Sequence, residues 1–231
     1  MKLNNIKIGV LGGIGPESTS YFYAHLIEKF QKEFKPKDNT YFPNIIINSI
    51  PAPEIIDSKE ISRSDLNNYY HGIKDLNKLQ PDFIVMVCNT IHFFYEDIQK
   101  ISKSRVLNLS ELLSKKIKSH KADKICVLGT FSSVKNNIYK ISEEKLLNLS
   151  DKDNSQVIEL IRNYNKGLDK EKQIKIFNKL LNKILKQKNI LVMLGCTELS
   201  LMNRSKSENV LSSLDLMVGE LLRELKRINK S

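Results

Sequence analysis

Short continuous apolar runs alternate along this chain with longer stretches in which apolar residues recur every three or four positions. The runs are residues 6–11 (IKIGVL), 44–49 (NIIINS), 83–87 (FIVMV), 106–109, 124–128 (KICVL), 190–194 (ILVML) and 210–211. Unbroken apolar runs of this length predict strands covered on both faces, as in parallel sheets. The periodic stretches predict helices over 16–34, 64–79, 91–101, 110–118, 133–140, 155–166, 170–187 and 216–228. Pro16 and Glu17 suit the first turn of the first of these helices, and Ser64 and Ser110 suit caps of two others. Residues 143–154 (EEKLLNLSDKDN) are polar and predict a surface connection. Strand and helix alternate throughout, which predicts an α/β fold built on parallel sheet. In such sheets, binding sites form at the carboxyl ends of the strands.

The chain also echoes itself. IGVLGG at 8–13 returns as ICVLGT at 125–130, an offset of 117 residues, and VMVCNT at 85–90 returns as VMLGCT at 192–197. Cys88 and Cys196 are 108 residues apart. Either match alone means little, because apolar strands resemble one another. Two matches in the same order at similar offsets predict a duplicated α/β unit. Each copy would present one cysteine, followed by a threonine, at the end of a strand.

Composition narrows the function classes. The net charge of +11 comes from 37 Lys and Arg against 26 Asp and Glu. The excess is mostly scattered lysine without interleaved aromatic residues, so no nucleic-acid partner is expected. No apolar stretch is long enough to cross a bilayer, so no membrane partner is expected. The first residues, MKLNNIKIGVLGG, hold no signal-type apolar region, which leads to the expectation of a cytoplasmic protein. Three widely spaced cysteines and no C-x-x-C pair argue against a disulfide framework and against zinc; no metal is expected.

The cysteines carry the chemistry. Cys88 follows a buried strand and precedes a predicted helix, a setting that favours thiolate. Cys196 has the same setting. For each alone, an inert buried thiol is an equal reading; together, at matching strand ends, they read as an acid–base pair. Cys126 lies inside a strand and reads as core. Asn89, Thr90 and Thr197 offer amide, hydroxyl and backbone N–H groups to a carboxylate. Gly13 lies in a loop, Gly12-Gly13-Ile14-Gly15, that resembles a dinucleotide fingerprint. It lacks the third glycine and the acidic residue about 20 positions on. It reads instead as an anion-binding helix start, with a plain tight turn as the competing reading. Thr130 reads equally as a carboxylate ligand or a cap. Lys166, before Gly167, reads as a carboxylate partner or a solvated lysine at a helix end. His92 reads as a group tuning Cys88 or as packing.

These pieces together resemble the aspartate/glutamate racemase family. The resemblance rests on Gly12-Gly13-Ile14-Gly15-Pro16-Glu17-Ser18-Thr19, Cys88-Asn89-Thr90-Ile91-His92, Leu128-Gly129-Thr130 and Gly195-Cys196-Thr197-Glu198-Leu199, in order across nearly the whole chain. It implies two pseudo-symmetric parallel-sheet α/β domains with the active site in the cleft between them, here 1–104 plus 215–231 and 105–214. It implies catalysis with no cofactor, pyridoxal phosphate included, a small-molecule amino-acid substrate such as aspartate or glutamate, and a homodimer. Cys88 and Cys196 would be the acid–base thiols. Gly13, Asn89, Thr90, Thr130, Lys166 and Thr197 would contact the substrate.

Two departures stand out. Where aspartate-specific members carry Pro-Asp-Arg, this chain has Pro51-Ala52-Pro53-Glu54, without the arginine that binds a substrate carboxylate. Glutamate or a wider range of amino acids therefore enters. The stretch 140–154 is also short and polar for the family. Sister activities of the same fold (maleate isomerase, hydantoin racemase, arylmalonate decarboxylase) and a non-catalytic amino-acid-binding role are the alternatives.

Overall fold

The computed structural model describes residues 3–52, 63–135, 139 and 141–230. In chain order its elements are β1 (Lys7–Gly12), α1 (Pro16–Phe34), β2 (Asn44–Ser49), α2 (Arg63–Leu79), β3 (Phe83–Met86), α3 (Tyr95–Ile101), β4 (Arg105–Val106), α4 (Leu109–Ser119), β5 (Lys124–Leu128), α5 (Phe131–Lys135), α6 (Asp151–Asn165), α7 (Lys170–Leu185), β6 (Ile190–Leu194), α8 (Thr197–Met202), β7 (Val210–Ser212) and α9 (Ser213–Lys230). Ser64, expected to cap a helix, lies within α2 instead, and the far part of the helix expected at 133–140 lies outside the described residues. No helix among the described residues is long and apolar enough to cross a membrane.

The chain forms two compact units. One holds the described residues up to 108 together with those from 214 onward; the other holds 109–213. The first contains a parallel sheet of order β2-β1-β3-β4, the second a parallel sheet of order β5-β6-β7. The α/β parallel-sheet class read from the sequence is the class observed.

Coverage on both faces explains which strands are purely apolar. All four residues of β3 and all five of β6 are buried, and each of these strands has a neighbour on both sides. In the first unit, helices supply one stripe each: Phe22, Leu26 and Phe30 from α1, and Leu214, Met217, Val218, Leu221 and Leu225 from α9. Removing any one of these large side chains is expected to cost on the order of 2–5 kcal/mol. NIIINS, read as a buried strand, is the edge strand β2 and is only partly covered; Ile47 is 40% exposed. Apolarity did not report this, because an edge strand loses a neighbour while keeping its composition.

Residues 143–154 also depart from the expected surface connection. Leu146 forms a parallel bridge with Ile125 of β5. The helix expected from 155 starts four residues earlier, because the Ser150 hydroxyl accepts the Asp153 N–H at 3.1 Å and so caps α6. With that bridge included, both units have one topology: an outer contact, the first strand, the strand that leads to a cysteine, and a last strand. The internal echo in the sequence falls on equivalent strands, β1 with β5 and β3 with β6.

The turn that leaves β3 is tied to the core by His92. Residues Thr90–Phe94 form a 3-10 turn ahead of α3, where a single helix over 91–101 was expected. The His92 ring is buried, and its Nε2–H donates to the Met86 carbonyl at 3.3 Å, spanning Val87, Cys88 and Asn89. Its Nδ1 is buried without a hydrogen-bond partner among the described residues. Charging the ring would bury a cation with an unmet N–H. Burial accordingly pushes the His92 pKa down from 6.5 to about 4, against the opposing pull of the Met86 carbonyl. The unfolded chain then binds more protons than the folded one between these values. The stability that neutral His92 provides is complete above pH 6.5 and is lost as pH falls toward 4. The shift is worth about 3 kcal/mol. Urea unfolding from pH 8 to pH 4 checks this. His92→Gln, which keeps a donor but cannot titrate, should be less stable at pH 8 and lose less than the parent on acidification; parallel curves would remove His92 from the acid transition.

Candidate active site

In the first unit, the carboxyl end of β1 turns through Gly13 into α1. Gly13 has a φ of +87°, and a side-chain carbon there would lie 2.2 Å from the Ile50 carbonyl oxygen. Only glycine fits. The Gly13 N–H donates to the Thr19 Oγ1 at 2.9 Å. Its amide is thus bonded within a tight strand-to-helix turn.

The carboxyl end of β3 carries Cys88, Asn89 and Thr90. Val87 continues the ladder, its N–H donating to the Leu11 carbonyl at 3.0 Å. Cys88 then leaves the sheet and is partly exposed, while Asn89 and Thr90 are buried. Asn89 precedes a 3-10 turn rather than an α-helix and makes no side-chain cap bond to it, so Cys88 stands one residue ahead of a weaker helix start than its sequence suggests.

In the second unit, β5 ends on Gly129 and Thr130. A side-chain carbon on Gly129 would lie 3.0 Å from the Gly195 carbonyl oxygen, and the Gly195 N–H donates to the Leu128 carbonyl at 2.6 Å. The two glycines let the ends of β5 and β6 approach closely. The Thr130 side chain is buried; its Oγ1 accepts the Ser133 N–H at 3.3 Å and donates to the Ser133 Oγ at 3.2 Å. The Thr130 hydroxyl thus caps the turn that follows it.

Cys196 follows β6 and stands at the N-terminal cap position of α8, without a side-chain cap bond. Its Sγ–H donates to the Glu198 Oε2 at 2.7 Å, and the Thr197 Oγ1 donates to the same oxygen at 3.1 Å. All three side chains are buried. A thiol and a hydroxyl converge on one buried carboxylate, so a proton can pass between Sγ and Oε2 without crossing water. Glu198 was read from the sequence only as part of a motif, with no role of its own. The available signal was an acid two residues after a candidate cysteine, in the first turn of a helix. That signal is masked because acids are common in first turns for electrostatic reasons.

The remaining candidates separate. Lys166 is exposed at the C-terminal end of α6, while the first turn of α6 lies beside Thr130 in a cavity within this unit. The two ends of a 15-residue helix are about 22 Å apart. The structure thus does not bring Lys166 together with Thr130. Cys126 sits within β5 with no exposed surface, and burial, reinforced by the Asp153 charge, pushes its thiol up to about 12. It is a protonated core residue. None of the three cysteines forms a disulfide. Among the described residues, no three His, Cys, Asp or Glu side chains are grouped to hold a metal ion.

Known proteins share this architecture. Residues 11–219 match the Asp/Glu/hydantoin racemase family. The chain is 35% identical over 137 residues to RacX of Bacillus subtilis (strain 168), described as a broad specificity amino-acid racemase; the match spans 58% of each protein. The fold is similar to that of an aspartate racemase homologue from Pyrococcus horikoshii OT3, with a TM-score of 0.73, 24% identity, and coverage of 98% of this chain and 100% of that one. It is also similar to the Picrophilus torridus aspartate racemase, with a TM-score of 0.76, 22% identity, and coverage of 96% and 95%. On the match across its length, this chain belongs to the Asp/Glu/hydantoin racemase family.

Proposed function

We propose that this protein is a cofactor-independent amino-acid racemase in which Cys88 and Cys196 transfer protons at opposite faces of one α-carbon. The observation that carries the reading is the Cys196–Glu198 contact: a thiol at a strand end, hydrogen-bonded at 2.7 Å to a buried carboxylate. A racemase of this kind needs one thiol able to accept the α-proton and another able to deliver one. With its proton on Sγ, Cys196 is the acid; with the proton moved to Glu198, it is the base. Cys88, partly exposed, is the partner thiol. Carbanion character at the α-carbon needs stabilisation, and Asn89, Thr90 and the backbone N–H groups beside them, next to Cys88 in the chain, are the groups proposed to meet the α-carboxylate. Thr197 acts on Glu198 in this reading, holding the carboxylate through its hydroxyl.

Aspartate and glutamate are the substrates first expected. The absence of arginine in Pro51-Ala52-Pro53-Glu54 and the broad specificity stated for the Bacillus relative both support a range wider than one amino acid. The free thiols fit a reducing cytoplasm, and a homodimer is the assembly proposed; light scattering checks the latter.

Purified reduced protein, without pyridoxal phosphate or metal, is incubated with single L-amino acids beginning with aspartate and glutamate, and the D-isomer is followed by chiral chromatography. D-isomer should form. Cys88→Ser and Cys196→Ser should each lower the rate by at least about a thousandfold, while Cys126→Ser keeps it and loses only stability. Equal loss in all three folded variants would contradict the assignment. Glu198→Gln, which can accept the thiol hydrogen bond but not the proton, should lower kcat by about a hundredfold or more with a smaller change in KM. An unchanged kcat would make Glu198 a purely structural partner.

A further inference from the structure

The two strands that lead to the cysteines are held unequally on their outer sides. In the second unit, β7 pairs with β6 at Val192, Met193 and Leu194, so the last residue of β6 still has a strand beside it. In the first unit, β4 pairs with β3 at Phe83 and Ile84 alone, and the Leu107 N–H on the Ile84 carbonyl, at 2.9 Å, closes that edge. Carbonyls two residues apart in a strand point to the same side, so the Met86 carbonyl faces the side that β4 has left. A buried backbone acceptor needs a donor. The His92 Nε2–H supplies it at 3.3 Å, from a ring that is 3% exposed. This bond closes the chain from Met86 to His92 into a loop, and Cys88 lies inside it. A second bond, from the His92 N–H to the Asn89 carbonyl at 3.1 Å, tightens the same loop. The ring makes no other hydrogen bond among the described residues, since its Nδ1 has no partner there.

We propose that His92 is a positioning residue for Cys88: its ring takes the place of the strand that β4 does not provide and fixes where the thiol stands. The proposal rests on the racemase reading above and adds a residue that acts through Cys88 rather than on the substrate. Two thiols working on opposite faces of one carbon must each be held closely in place, and a small misplacement costs rate more than affinity. Cys196 is placed by β7 beside its strand and by its bond to Glu198. Cys88 leaves the sheet partly exposed, after a strand that has lost one neighbour, and depends on His92. The tie runs from one nitrogen to one carbonyl. The position therefore needs an N–H at the right reach, not an imidazole as such. Glutamine has that reach. Asparagine carries the same amide on a stem one methylene shorter.

The test compares His92→Gln with His92→Asn at pH 8, where the parent ring is neutral. Racemisation of the amino acid that the parent turns over fastest is read as kcat and KM. Alkylation of Cys88 by iodoacetamide is followed separately, by mass spectrometry of its peptide. His92→Asn should lose about tenfold or more in kcat with KM changed by less than about twofold, while His92→Gln recovers kcat to within about threefold of the parent. Cys88 should alkylate faster in His92→Asn, whose turn is released, than in the parent or in His92→Gln. Far-UV circular dichroism checks folding; if His92→Asn does not fold, His92→Met, which fills the space without a donor, takes its place with the same expected values. An equal fall of kcat in both variants, an unchanged kcat in the variant without the tie, or a KM that rises as kcat falls would overturn the proposal and leave the racemase reading standing. A parent that racemises nothing would overturn the racemase reading. The alkylation rates then decide the proposal alone: a faster rate only where the tie is lost supports it, and equal rates throughout overturn it.

Discussion

A parallel strand whose two faces are covered can present polar chemistry only where it ends, and this constraint organises the molecule. β3 and β6 are buried along their whole length. Their side chains can do nothing but pack, and the proposed chemistry falls on the next few residues: Cys88-Asn89-Thr90 after one, Cys196-Thr197-Glu198 after the other. The glycines serve the same constraint. Gly13 admits the Ile50 backbone, and Gly129 and Gly195 admit each other, so that strand ends which must turn at once can do so side by side. Cys126 shows the converse. Placed two residues before the end of β5, it is held protonated by burial.

At the Cys196 end, the decisive contact is a thiol on a carboxylate, both removed from water. An ionised carboxylate is expensive to bury unless it is given hydrogen bonds. Glu198 receives two on one oxygen, from Cys196 and Thr197. The cost of burying it is offset by the same two residues that, in the proposed mechanism, it acts upon. The Cys88 end is built differently: there a buried neutral histidine ties the turn by a bond to Met86, and the thiol is partly exposed. The proposed mechanism thus uses two thiols in unlike surroundings.

Much of the fold was legible because it rests on features that composition and period report directly. Apolar runs marked β1, β3, β5 and β6 to within a residue or so, and the repeated cysteine motif pointed to equivalent strands. The failures have physical causes. β2 reads as core because apolarity does not encode a missing neighbour. The start of α6 was missed because Ser150-Asp151-Lys152-Asp153 looks like loop until the cap is recognised. At the site, residue type located the cysteines, but hydroxyl, amide and carboxylate partners are set by geometry: the Gly13 N–H meets Thr19, Thr130 meets Ser133, and Glu198 meets Cys196 at 2.7 Å.

The central claim is that two different groups act on opposite faces of one carbon. The most direct measurement starts from a pure L-amino acid substrate in D2O and analyses both enantiomers for α-deuterium at early times. Two thiols predict a D-isomer that carries deuterium from its first appearance, while the remaining L-isomer stays largely unlabelled. Deuterium entering the L-isomer as fast as the D-isomer forms, or a D-isomer that retains the original proton, would mean a single base and would contradict the account.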